Sequence, residues 1–249
     1  MINLNAIVAP SVFRKLSATP IKGNKDMTAA SPHAPSLQTP RVTLERRPTR
    51  GQYDIAAIAP ILDESFLCHV GFSVEGQPYV IPTGYGRKGD LLYIHGSAAS
   101  RMLRTLADGV DVCVTVTILD ALVLARSAFN HSMNYRSVVI LGRATLVEGD
   151  EKMEALKVFS DQLLPGRWED ARAPNKTEML ATSVLKLKIT EASTKVRKGP
   201  PLDDDEDLPH PCWAGLLQYR QVVSGLEPDP RLAPSVAVPD YLKVKLAGR

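Results

Sequence analysis

Cysteine is scarce in this chain: three in 249 residues, Cys68, Cys113 and Cys212, odd in number and far apart. That argues against a disulfide framework or a zinc site of paired cysteines, and it fits a reducing compartment. No apolar run approaches the roughly 20 residues of a membrane span. An excess of one charge is missing too. Thirty basic residues face 27 acidic ones, leaving +3, too even a balance to indicate nucleic acid or an anionic membrane as partner. A Ser-His-Asp spacing and a nucleophile elbow are absent, and no ligand set calls for a metal. Gly84-Tyr85-Gly86-Arg87-Lys88-Gly89 spans a hairpin without a following helix, so it is no dinucleotide fingerprint. What remains is an ordinary globular composition, 44% hydrophobic and 23% charged, with length for one large domain or two small ones.

Residues 1–45 are rich in Pro, Ser, Thr and Ala and are expected to form a disordered tail outside the fold. The first 25 carry Arg14, Lys15, Lys22 and Lys25 and no acidic residue. The expected location is cytoplasmic, or an organelle matrix if this segment is a transit peptide. Residues 46–225 are expected to be the folded domain, and 226–249, with Pro228, Pro230, Pro234 and Pro239, an extended tail.

Within the domain, Ile55, Ile58, Ile61 and Leu62 recur at helical spacing behind Asp54, a natural N-cap. Phe66–Val74, Tyr79–Tyr85 and Leu91–His95 alternate as strands around tight turns, which implies an antiparallel meander. A short helix is expected over Ala98–Ala107 and a β-branched strand over Val110–Leu119, interrupted at Asp120. A less regular link, Arg126–Tyr135, leads to a strand over Ser137–Val147. A helix over Asp150–Leu163 and a strand over Ser183–Ile189 follow. Trp213–Val223 could be a last edge strand, and the acidic run Asp203–Asp207 reads as a solvated loop. Six or more largely antiparallel strands with intervening helices predict a mainly β fold, a barrel with helical covers.

The chemistry concentrates in Leu92-Tyr93-Ile94-His95-Gly96-Ser97-Ala98-Ala99-Ser100-Arg101. A strand, a turn with small hydroxyls and a helix start bearing an arginine can cradle a phosphate. Ser97 or Ser100 could equally be a simple N-cap. Asn134-Tyr135-Arg136-Ser137, at the start of another strand, offers an amide, a phenol, a guanidinium and a hydroxyl. Arg136 there is either a surface charge at a strand end or a second anion contact.

Three blocks together resemble the flavin-binding split barrel of the pyridoxamine 5'-phosphate oxidase-like family: Val80-Ile81-Pro82-Thr83, Leu92 to Arg101, and Tyr135-Arg136-Ser137-Val138 ahead of Gly142. The nitroimidazole-resistance-like subgroup is the nearest in kind, and the likeness runs from about Arg50 to Pro200. It implies an FMN-dependent oxidoreductase acting on a small molecule as a homodimer, with a flavin at each of two subunit-interface sites. Val80 to Thr83 would line the ring edge, Ser100 and Arg101 would hold the phosphate, and Arg136 and Ser137 would take the place of an arginine-glutamine pair. Met102 replaces a lysine of the oxidases. Glu191-Ala192-Ser193-Thr194-Lys195-Val196-Arg197-Lys198 lacks the block that grips the pyridoxal substrate, so vitamin B6 oxidase activity is not implied. His69, which alternates with Cys68 and Val70, matches a histidine near the flavin in the nitroimidazole-resistance-like proteins. It is either a reactive-pocket residue or a hydrogen-bonded barrel histidine. His95 precedes the phosphate turn and could orient it. A non-catalytic flavin binder, or a haem-binding or haem-degrading protein on the same barrel, is the alternative reading.

Overall fold

In a computed structural model of the chain, residues 36–247 are described. The alternation that marks Leu67–Val74 in the sequence becomes two faces of a strand. Cys68, Val70 and Phe72 are buried, while Leu67, His69 and Ser73 are exposed. The element order is β1 (Gly51–Gln52), α1 (Ile55–Glu64), β2 (Leu67–Val74), β3 (Gln77–Gly84), β4 (Gly86–Lys88), β5 (Leu91–Ser97), α2 (Arg101–Ala107), β6 (Asp111–Leu124), β7 (Ser132–Leu146), α3 (Gly149–Leu163), α4 (Arg167–Asp170), α5 (Lys176–Ala181), β8 (Thr182–Lys188), β9 (Glu191–Arg197), β10 (Gly215–Gln218) and α6 (Asp240–Ala247). The fold is mainly β, a split barrel with helical covers, as the sequence leads one to expect.

Every ladder among the described residues is antiparallel, along the path β3-β2-β6-β7-β8-β5-β4, with β9 on β7 and β1, and β10 on β6. The long β7 turns the sheet on itself: Tyr135–Leu141 pairs with β9, and Ala144–Leu146 pairs with β8. A register shift between Leu119 and Ala121 bulges β6 at Asp120, where the apolar run is interrupted in sequence. The two ends of the path, β3 and β4, are joined in the chain by Tyr85. That ring is fully buried and its hydroxyl donates to the Leu62 carbonyl at 2.6 Å. Among the described residues β3 pairs with β2 alone, so its other edge keeps backbone groups unpaired among them, and the barrel is split along that seam. Pro78 and Pro82, which have no N–H to give, are tolerated on β3 because it is an edge strand.

The core lies between the sheet and two helices, around Ile58, Leu62, Val70, Leu106, Ile140 and Leu185. Asp54 caps α1 by accepting from the Ala57 N–H at 2.8 Å. Packing begins ahead of the expected domain boundary. Leu37 is buried, its N–H donates to the Tyr53 carbonyl at 2.7 Å, and its carbonyl accepts from Ala192 N–H at 3.0 Å. The rest of the expected tail, residues 1–35, lies outside the described residues. Two further expectations need correction. The acidic run is not wholly solvated: the Asp203 carboxylate is 2% exposed and pairs with Arg126 at 3.0 Å. The expected C-terminal tail ends in α6 rather than staying extended, for Pro239 sits immediately before the first helical residue, where a missing N–H costs nothing. None of the described helices is long and apolar enough to cross a membrane.

Candidate functional site

The seam between the free edge of β3 and the β5–α2 turn gathers half of the expected site residues. On β3, Val80 and Pro82 face outward, with Val80 65% exposed, while Ile81 and Thr83 are half-buried toward the barrel. At the turn, Ser97 Oγ accepts from Ala99 N–H at 3.2 Å, and Ser100 is the N-cap of α2, accepting from Leu103 N–H at 3.5 Å. Both hydroxyls therefore serve the local turn, and each retains its proton to donate. Arg101 stands over the Tyr79 ring, its guanidinium carbon 4.7 Å from the ring centre. Among the described residues no carboxylate pairs with it, so its N–H fork is uncommitted. Tyr79 stacks on Phe72 at 5.5 Å between ring centres. Beyond it a groove of about 400 Å³ continues over Gly71, Val80 and Cys113 to Arg41.

His69 lies on the outer face of the same sheet. In register it sits between Pro82 of β3 and Thr115 of β6. Its ring is exposed, and among the described residues no hydrogen bond engages it. Gly71 follows it on the same face of β2, with Val80 opposite Gly71 in register. His95, by contrast, points under the helical cover. Its ring meets Phe159 edge-on at 4.2 Å, and its Nδ1 is buried without a hydrogen-bond partner. Burial lowers its pKa, so the imidazole is held neutral. It forms part of a separate groove of about 390 Å³ with Phe159 and Trp168, not the wall of the seam.

The second group of expected residues is gathered elsewhere. β7 lies three strand spacings from β3, about 14 Å at the usual separation, and the cleft holding Arg136 includes none of the seam residues. That cleft, about 820 Å³, is lined by Glu64, Thr117, Asp120, Arg136 and the stretch Gln218–Val222. Arg136 is clamped there. Its Nη2 donates to Glu64 Oε1 at 2.8 Å and to Asp120 Oδ1 at 2.8 Å, and its Nη1 pairs with Glu64 as well. These two carboxylates raise its pKa, through hydrogen bonds first, and the hydrogen bond from Arg136 in turn holds Glu64 below its usual range. Asn134 is buried, takes a hydrogen bond from Arg197 on Oδ1, and donates from Nδ2 to the Gly199 carbonyl at 3.0 Å. Tyr135 is half-buried between Leu119 and Arg197 in register. Ser137 donates to the Lys195 carbonyl at 3.5 Å. Sequence reasoning missed Glu64 and Asp120 as partners of Arg136. The only signal was the Asp120 interruption, and Glu64 reaches the cleft through tertiary packing of α1.

The family model described as pyridoxamine 5'-phosphate oxidase matches residues 54–196. The chain belongs to that family. Among solved structures, it is similar to the flavocytochrome Anf3 from Azotobacter vinelandii, at 46% identity and TM-score 0.77, covering 85% of this chain and 98% of that one. It is also similar to the FAD- and haem-binding protein from Mycobacterium smegmatis, at 34% identity and TM-score 0.76, covering 79% of this chain and 97% of that one. No curated protein matches the chain.

Proposed function

We propose that this member of the pyridoxamine 5'-phosphate oxidase family is a flavin-dependent oxidoreductase that also carries haem, working as a dimer with its flavin sites between subunits. The observation that carries the flavin reading is the seam: an edge strand with free backbone groups facing an arginine that no carboxylate holds. The backbone of Val80 to Thr83 offers donors and acceptors to a ring edge. Arg101 supplies a charge-assisted fork for phosphate, with Ser97 and Ser100 as hydroxyl donors. Of the two flavins, FAD is favoured over FMN. One relative is named for FAD, and the groove beyond Tyr79 offers about 400 Å³ next to Arg101 for the adenylate half.

A haem needs an accessible imidazole. His69 fits that description best among the four described histidines. His95 is closed off by Phe159, His131 Nε2 contacts the Ala125 carbonyl at 3.2 Å, and His210 sits in an exposed loop away from the sheet. Flavin would supply hydride or electron transfer when bound. The protein's part is to hold the two groups side by side on one sheet face and to exclude water from between them. The dimer reading is supported by the placing of Arg101 and Arg136, which stand in different grooves of one chain.

The test is spectroscopic. Purified protein should show a flavin band and a Soret band, and the released flavin should weigh as FAD. Arg101→Ala should weaken flavin binding by about 1.5–3 kcal/mol, roughly 10- to 150-fold, with the Soret band kept. His69→Ala should abolish the Soret band and keep the flavin. A protein that takes up neither group, or a folded Arg101→Ala variant with unchanged flavin affinity, would end the reading. A released mononucleotide would restore FMN.

A further inference from the structure

Basic residues gather where the turn before β1 meets the end of β9. Gly51 of β1 pairs in register with Lys195 of β9, which puts Arg50 beside the last residues of that strand. The Arg50 N–H donates to the Arg47 carbonyl at 3.0 Å, closing the turn that carries Arg46 and Arg47. Arg197 ends β9 and Lys198 follows it. Among the described residues no carboxylate pairs with any of these six cations.

Arg197 sets the corner apart from a solvated face, for it is only 7% exposed. Its Nη1 donates to Asn134 Oδ1, a neutral acceptor. Its Nε and Nη2 meet no acceptor among the described residues, and neither is sealed from solvent. Burial lowers its pKa, and the like charge of Arg50 lowers it further. A charge taken out of water is ordinarily paired, because leaving it unpaired is costly. Residues 1–35 hold four basic residues and one acidic residue, Asp26, so they add positive charge rather than balance it.

We propose that this corner binds a phosphorylated small molecule, at a site separate from the flavin phosphate contact at Arg101. Several cations without a counter-ion call for more than one negative charge, which a pyrophosphate group carries and a lone carboxylate does not. Arg50 and Arg197 offer planar forks that match phosphate oxygens, and Lys195 and Lys198 add point charges. The buried fork of Arg197 favours a small anion over an acidic protein surface, which reaches exposed lysines but not a buried arginine. The inference goes beyond the flavin reading and does not depend on it.

The probe is inorganic pyrophosphate, titrated calorimetrically into the full chain as purified and again after removal of any bound flavin. Both preparations should bind it. Arg197→Gln and Arg50→Gln should each raise its dissociation constant at least about tenfold. Arg197 also holds Asn134, whereas the Arg50 side chain makes no hydrogen bond or ion pair among the described residues. Arg50→Gln, with its far-ultraviolet circular dichroism unchanged, therefore decides the matter even where Arg197→Gln does not fold. Lys176→Gln, which removes an exposed charge on α5, should leave the constant alone. Absence of saturable binding, or a loss as large in Lys176→Gln as in Arg50→Gln, would overturn the site. Binding that flavin excludes would assign the corner to the flavin's own phosphates and overturn a separate site. In a chain that holds no flavin the arginine variants decide the site just the same, so the two readings fail independently.

Discussion

Arg101, at the start of α2, and Arg136, near the start of β7, each stand beside a serine, and the fold gives them different circumstances. Arg136 has its fork filled by Glu64 and Asp120, so an incoming anion has to compete with two carboxylates for it. Arg101 rests on an aromatic face, which steadies a guanidinium without consuming its N–H groups. The same dependence on surroundings separates the cysteines. Burial pushes the Cys68 thiol up to about 12, while Cys212 lies on the surface. At pH 8 only about one Cys68 in ten thousand is a thiolate. Iodoacetamide should therefore label Cys212 promptly and Cys68 only after denaturation, read by peptide mass. Labelling of both at one rate in the native protein would refute the burial argument. Cys68 stands in the alternating run of β2, on the face that the fold buries. The sequence did not reveal that Arg136 is held by Glu64, which lies 72 positions away and meets it only through the docking of α1.

At the level of elements, the strands with clean alternation were legible. β2, β3, β5 and β6, and α1 with its Asp54 cap, stand within a few residues of where periodicity puts them. β9 was not legible as a strand, and the reason is physical. Glu191, Ser193, Thr194 and Arg197 are polar yet buried, because β7 and β1 flank the strand and Arg41 and Asn134 take up its charged ends. A strand covered in this way carries no alternation to read. The short β4 escaped notice for another reason: its place is set by contact with α3. A Cβ on Gly86 would stand 2.6 Å from Phe159 Cα and 2.9 Å from the Val158 carbonyl carbon. Both neighbours are backbone, so neither can rotate away. Gly86→Ala should destabilise the fold by about 1–3 kcal/mol in urea unfolding. Gly225→Ala, where nothing lies within 4 Å of the new atom, should leave the midpoint alone. Equal midpoints for the two variants would show that α3 does not lean on this glycine.

For the whole molecule, the flavin cradle proposed above falls in two distant pieces, one at Arg101 and one at Arg136. Along one chain the pieces are separated by β2 and β6, and no loop among the described residues brings them together. Two chains related by a twofold axis can do so twice over, once at each end of their interface. This arrangement has a consequence that a single-chain site lacks. An Arg101→Ala homodimer and an Arg136→Ala homodimer each carry two damaged sites. When the two proteins exchange subunits, each mixed dimer holds one site with both arginines missing and one with both present. Random exchange should then restore about a quarter of all flavin sites, measured as tight-binding flavin in a titration of the mixture. If each cradle belonged to one chain, mixing would restore none, because every chain would still lack one arginine. Recovery near a quarter therefore assigns the two arginines to opposite chains, and no recovery from stable, exchanging dimers returns the site to one chain.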